Sequence, residues 1–130
     1  MTGRTKRAVS LRAVLAVAVL AGGLAGAAVA APVYATKEAF TAAVSGKSLS
    51  STTKKNKPIV VHYLPGGSGD LTIGGDKPQS LTWTFKGDVL CTTVKAWSFT
   101  ECNKVVLTSP TAADFIDAKS GQLNNTYTIH

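Results

Sequence analysis

From Leu49 onward, turn signals interrupt the chain at intervals of about eight to twelve residues, and that spacing constrains the fold more than any other feature. Pro65-Gly66-Gly67-Ser68-Gly69, Gly74-Gly75-Asp76-Lys77-Pro78, Lys86-Gly87-Asp88, Pro110 and Ser120-Gly121 each close a short run of β-branched and aromatic residues. The runs between them are 59–64, 70–73, 81–85, 89–94, 97–107 and 122–129. Leu81-Thr82-Trp83-Thr84-Phe85 alternates strictly, so three apolar side chains share one face and two threonines the other. A polar, β-tolerant stretch at 47–53 reads as an edge strand, and 114–118 fits either one helical turn or a strand. The fold class expected is mainly β (α+β): a small antiparallel meander or barrel-like sheet. Its core is expected from Leu81, Trp83, Phe85, Leu90, Trp97, Phe99, Val105, Val106, Leu107, Phe115 and Ile116.

One short N-terminal helix precedes the strands. Thr36 is placed to cap residues 37–45, with Glu38 in the first turn near the positive helix end. Phe40, Ala43 and Val44 share a face, and Gly46 stands where a left-handed residue ends the helix. Two turns do not hold alone in water, so this stripe must pack on the sheet.

The front of the chain is an address. Arg4, Lys6, Arg7 and Arg12 precede an Ala/Val/Leu/Gly run over 13–29, and Ala28-Val29-Ala30 offers small residues for a cut after Ala30. Gly22, Gly23 and Gly26 interrupt that run, which argues for a cleaved signal rather than an anchor. The expected organisation is a signal peptide over 1–30 and a single domain over 31–130, exported to the periplasm or beyond, with no transmembrane segment after cleavage. Export changes the meaning of Cys91 and Cys102, because an oxidising compartment favours their union. The two flank a hairpin centred between Ala96 and Trp97, so symmetric pairing sets them opposite each other within disulfide reach. Redox catalysis would want closer spacing, and a metal would want more ligands.

The formal charge of +7 includes four basic residues that leave with the signal. Ten lysines then face seven carboxylates, leaving +3, and the mature chain has no arginine. Nucleic-acid readers lean on arginine, so that partner class is not expected. Lys54, Lys55 and Lys57 form the one charge cluster. Its readings are a solvated loop guarding a sheet edge, or contact with an anionic partner such as an acidic cell-wall polymer or envelope protein.

Candidates for chemistry are sparse. His62 lies inside a run and reads as an ordinary strand residue, while His130 is terminal. Asp70, Asp76 and Asp88 each adjoin a glycine, as turn residues do. Asp114 and Asp117 would share a face only on a helix. The glycines between 66 and 75 lack the Lys-Ser/Thr of a phosphate loop, and no cofactor or metal is expected.

Ser45-Gly46-Lys47-Ser48-Leu49, His62-Tyr63-Leu64-Pro65-Gly66-Gly67 and Trp83-Thr84-Phe85-Lys86-Gly87-Asp88-Val89-Leu90-Cys91, followed by Cys102, form a pattern. It resembles a family of small exported bacterial proteins, that of domain of unknown function 995. The resemblance implies a β-rich fold with one disulfide and carries over no functional residue. Together these readings point to an exported protein that binds rather than catalyses, inhibitor-like or envelope-associated. The alternatives are a small secreted hydrolase using His62 or Asp114/Asp117, and a structural envelope component.

Overall fold

The computed structural model describes residues 31–130. The signal peptide expected over 1–30 lies outside the described residues. Helix α1 (Lys37–Val44) is capped as its sequence requires: the Thr36 hydroxyl oxygen accepts from the Ala39 N–H at 3.1 Å. Gly46, at φ 72°, then turns the chain into the sheet.

Eight strands follow: β1 (Leu49–Thr52), β2 (Pro58–Leu64), β3 (Ser68–Ile73), β4 (Gln79–Lys86), β5 (Val89–Val94), β6 (Phe99–Ser109), β7 (Ala112–Asp117) and β8 (Leu123–Ile129). Each pairs antiparallel with the next, and β8 returns to β1 through Leu49 opposite Ile129, closing a barrel. The stretch expected as an edge is therefore no edge. β1 is hydrogen-bonded on both sides, because closure removes edges altogether. Residues 114–117 belong to a strand, β7, paired with β6 and β8. Asp70 sits within β3 rather than in a turn, while Asp76 and Asp88 lie in connections.

Inward positions alternate along every strand. Leu49, Val61, Tyr63, Leu71, Leu81, Trp83, Leu90, Val94, Val105, Phe115, Tyr127 and Ile129 form the core, with Phe40 and Val44 from the helix. Trp97 and Phe99 depart from the expected core, being 43% and 48% exposed. Val106 and Ile116 are only partly buried, being one step out of phase with Val105 and Phe115. Leu123 breaks the even-step pattern of β8 and is 57% exposed. The register slips between Phe115 opposite Asn125 and Ile116 opposite Leu123, and this bulge turns Leu123 away from the interior.

Cys91 and Cys102 are direct cross-strand partners and are joined by a disulfide, with Cα atoms 4.0 Å apart. Their neighbours Leu90 and Asn103 point inward, so the bond clips β5 to β6 on the outer wall. Gly69 is required by close approach. A Cβ there would collide with the His62 carbonyl oxygen on β2 and crowd Leu81.

Candidate functional site

An antiparallel meander sends its connections alternately to opposite ends. The loops at 65–67, 87–88 and 110–111 share one end with α1; those at 53–57, 74–78, 95–98 and 118–122 share the other. The helix plugs its end. Phe40 enters the barrel and meets Tyr63, Phe85, Trp83 and Phe115 at ring-centroid distances of 5.1, 5.5, 5.8 and 6.2 Å. Trp83 is fixed there by its indole N–H, which donates to the carbonyls of Ser68 at 2.8 Å and Leu64 at 3.0 Å.

Among the described residues, the other end has no plug. Between the aromatic floor and the open loops lies a cavity of about 350 Å³, at the small end of the range that ligand pockets occupy. Its walls are apolar: Ile59, Val61, Leu71, Ile73, Leu81 and Val94, above Tyr63 and Phe115. Trp97 on the β5–β6 connection and Phe99 at the start of β6 stand at its mouth, and between them Ser98 adopts a left-handed conformation to close the turn. An eight-stranded barrel has an interior that side chains can fill or that leaves room for one small ligand; here side chains fill one end and a cavity occupies the other.

Against that apolar wall stands a single polar sector. Glu101, Thr92, Asn125 and the phenol-bearing Tyr63 and Tyr127 line the cavity together. Asn103, almost completely buried, donates from Nδ2 to Glu101 Oε2 at 2.7 Å. Its own Oδ1 accepts from Asn124 Nδ2 at 2.7 Å, which fixes the direction of the amide. Burial pushes the Tyr127 phenol up to about 12, and the charge of Glu101 adds to it. Burial likewise pushes the Tyr63 phenol upward, opposed by a 3.2 Å hydrogen bond with Thr92. Glu101 and the cup escaped the sequence reading. The signal was there: Phe99, Glu101, Asn103, Val105 and Leu107 are one face of β6, with two polar groups set into an apolar stripe.

The lysines collect around the same mouth. Lys54, Lys55 and Lys57 lie exposed on the β1–β2 loop, and Lys77, Lys95 and Lys119 lie exposed on the three neighbouring ones. They do not reach the cavity lining. Asp114 accepts from the Thr126 hydroxyl at 2.8 Å. Asp117 accepts from the N–H groups of Ser120 and Lys119, which hold its carboxyl below the usual range. On a strand their odd spacing sends them to opposite faces.

His62 lies within β2, as expected, and its ring makes two side-chain contacts. Its Nδ1 lies 2.7 Å from Asp70 Oδ1, directly across on β3, and its Nε2 lies 2.9 Å from Ser48 Oγ. With Nδ1–H donated to the carboxylate, Nε2 accepts from the hydroxyl, which is the proton order of a Ser–His–Asp triad. Ser48 in turn exchanges backbone hydrogen bonds with His130, whose Nε2 lies 2.6 Å from Ser50 Oγ. The row runs across the outer wall. His62 and Asp70 are 39% and 42% exposed, and none of the three residues lines the cup. The Ser48 N–H is directed to the His130 carbonyl at 3.4 Å and so does not face a substrate oxyanion.

Among the described residues, no group of His, Cys, Asp and Glu is arranged to hold a metal ion, and no helix is long and apolar enough to cross a membrane. Compared with known protein families, curated proteins and solved structures, the chain matches none.

Proposed function

We propose that this chain is an exported binding protein that holds a small, largely apolar molecule in the open half of its barrel, close to the bacterial envelope. The observation that carries the reading is the cup: a preformed apolar cavity with one polar sector, walled by rigid strands and open to solvent. Export is supported by the signal-like front and by the disulfide, which belongs to oxidising compartments. Association with the envelope is supported by the lysine-rich rim, which favours anionic material.

The test is titration with a fluorescent apolar probe, N-phenyl-1-naphthylamine, against the parent and Ile73→Trp. Ile73 lines the cup and is partly buried, so an indole there occupies ligand volume with limited overpacking of the core. The parent should bind and the variant should not, with both folded by circular dichroism. A parent that leaves the probe in water overturns the reading. Equal binding by both chains would put the ligand elsewhere.

A second reading, a small secreted hydrolase, is favoured by the Ser48–His62–Asp70 row. Ser48 Oγ would attack an ester carbonyl, passing its proton to His62 Nε2 and thence to the leaving alkoxide. A fluorophosphonate that labels Ser48 in the parent and not in His62→Ala would support it; an unlabelled parent would remove it.

A further inference from the structure

The binding reading leaves open which molecules the cup prefers, and its polar sector bears on that choice. Glu101 is a carboxylate on the wall of an otherwise apolar cavity. One of its oxygens, Oε2, is held by the buried Asn103 amide. The other has no hydrogen-bond partner among the described residues. The one ion pair among the described residues is His62 with Asp70 on the outer wall, so no lysine neutralises Glu101. Satisfying the Asn103 amide requires only an acceptor, which a neutral Gln would also supply, so the fold of the cup does not by itself require a charge here. A neutral amide would meet Asn103 without the cost of partly burying a charge.

We propose that the cup selects a small amphipathic amine, seating its ammonium on Glu101 and its apolar body against Val61, Leu71 and Leu81. This rests on the binding reading above. A cationic N–H donor meets the free carboxylate oxygen in a charge-assisted bond, stronger than a neutral hydroxyl can make. A carboxylate ligand would bring a like charge into a low-dielectric cavity and is excluded on that ground. Asn103 acts as a positioning residue: locked by Asn124, it turns only N–H toward Glu101 and so keeps the carboxylate aimed.

The lysine rim acts in the opposite sense, and distance decides between them. Rim lysines sit on solvated loop tips, where salt at 0.15 M screens charge beyond about 8 Å. Direct contact with Glu101 is not screened in that way. Selection is therefore set inside the cup, while the rim governs what surface the protein approaches.

The experiment compares n-octylammonium, 1-octanol and octanoate by calorimetric titration at pH 7.5 and 0.15 M salt, with the parent and with Glu101→Gln. Gln keeps the volume and can still accept from Asn103. In the parent the ammonium should bind roughly tenfold tighter than octanol, and octanoate weakest, the increment expected of a charge-assisted hydrogen bond. In Glu101→Gln the ammonium advantage should vanish while octanol binding stays as it was. Octanoate binding as well as the ammonium, or an ammonium preference that survives Glu101→Gln, overturns the assignment and leaves the cup reading intact. If octanol and both its charged relatives fail to bind the parent, the cup reading falls and this one with it.

Discussion

The two ends of the barrel are built from the same eight strands and have opposite fates. At the closed end, α1 delivers Phe40 into a cluster of four aromatic rings, and Leu49, Leu90, Val105 and Ile129 are buried around it. At the open end no element among the described residues covers the strands, so the cavity persists and Trp97 and Phe99 remain half exposed at its lip. One end spends its apolar residues on cohesion; the other keeps them available. The lesson is that stability and function are separable here along a single axis, since loops at an unplugged end can vary without disturbing the packed one.

The largest effect should come from unplugging the closed end. Phe40 is completely buried. Phe40→Ala should lower the unfolding free energy by about 3–5 kcal/mol, the range for truncating a buried aromatic. Trp97→Ala should cost clearly less, about 1–2 kcal/mol, because much of that side chain is already in water. Chemical denaturation of both variants measures the contrast. Equal losses would break the comparison between the ends.

Next comes the clip between β5 and β6. Cys91→Ser with Cys102→Ser reopens a loop with sequence separation 11 and should cost about 3 kcal/mol in the chain-entropy model. Because the bond lies on the outer wall, ligand binding below the lowered midpoint should persist. Loss of binding at temperatures where the double variant is still folded would mean that the clip shapes the cup itself.

The boundary between the two ends should be visible in alkali. Burial, with a contribution from Glu101, pushes the Tyr127 phenol to about 12. An unfolded tyrosine ionises near 10, so the folded state holds its proton where the unfolded state has lost it. This contribution is fully present below pH 10 and is lost as pH rises from 10 to 12, about 2–3 kcal/mol in all. Tyr127→Phe should flatten the fall across that window. An unchanged slope would mean that Tyr127 is not sealed between plug and cup.

Much of the closed end was legible in the sequence. The Thr36 cap, the Phe40–Val44 stripe, the alternation of 81–85 and the facing cysteines are local patterns, and local patterns survive into the fold. The open end was not legible in the same way. Trp97 and Phe99 count as core by hydropathy, and only closure of the barrel without a second plug leaves them exposed. The Ser48–His62–Asp70 row depends on the registers of β1, β2 and β3, which no spacing within one strand reveals. The bulge that turns Leu123 outward is likewise a property of pairing and not of its own segment. Glu101 is hard to read in sequence because a lone acid in a β run resembles an outward residue unless its phase against Phe99 and Val105 is followed.

The smallest effect on stability should accompany a clear effect on binding, at the rim. Lys54, Lys55 and Lys57 lie exposed in the loop after β1, which is held by the Thr53 N–H donating to the Lys57 carbonyl and by Asn56 at φ 61°. The lysine side chains carry none of that scaffold. Replacing all three with Gln should therefore change stability by less than about 0.5 kcal/mol. Their charge, with that of Lys77, Lys95 and Lys119, faces whatever the mouth approaches. On vesicles rich in phosphatidylglycerol each lysine near the surface contributes about 1 kcal/mol, so the triple variant should bind far more weakly than the parent. Phosphatidylcholine vesicles should retain neither protein, and added salt should release the parent from the anionic ones. Full retention of the triple variant would leave Trp97 and Phe99 as the contact, with the open end meeting its surface through apolar residues. Loss of retention at unchanged stability would separate the two ends cleanly: charge on the loops governs approach, and the packed helix end governs whether there is a fold to approach with.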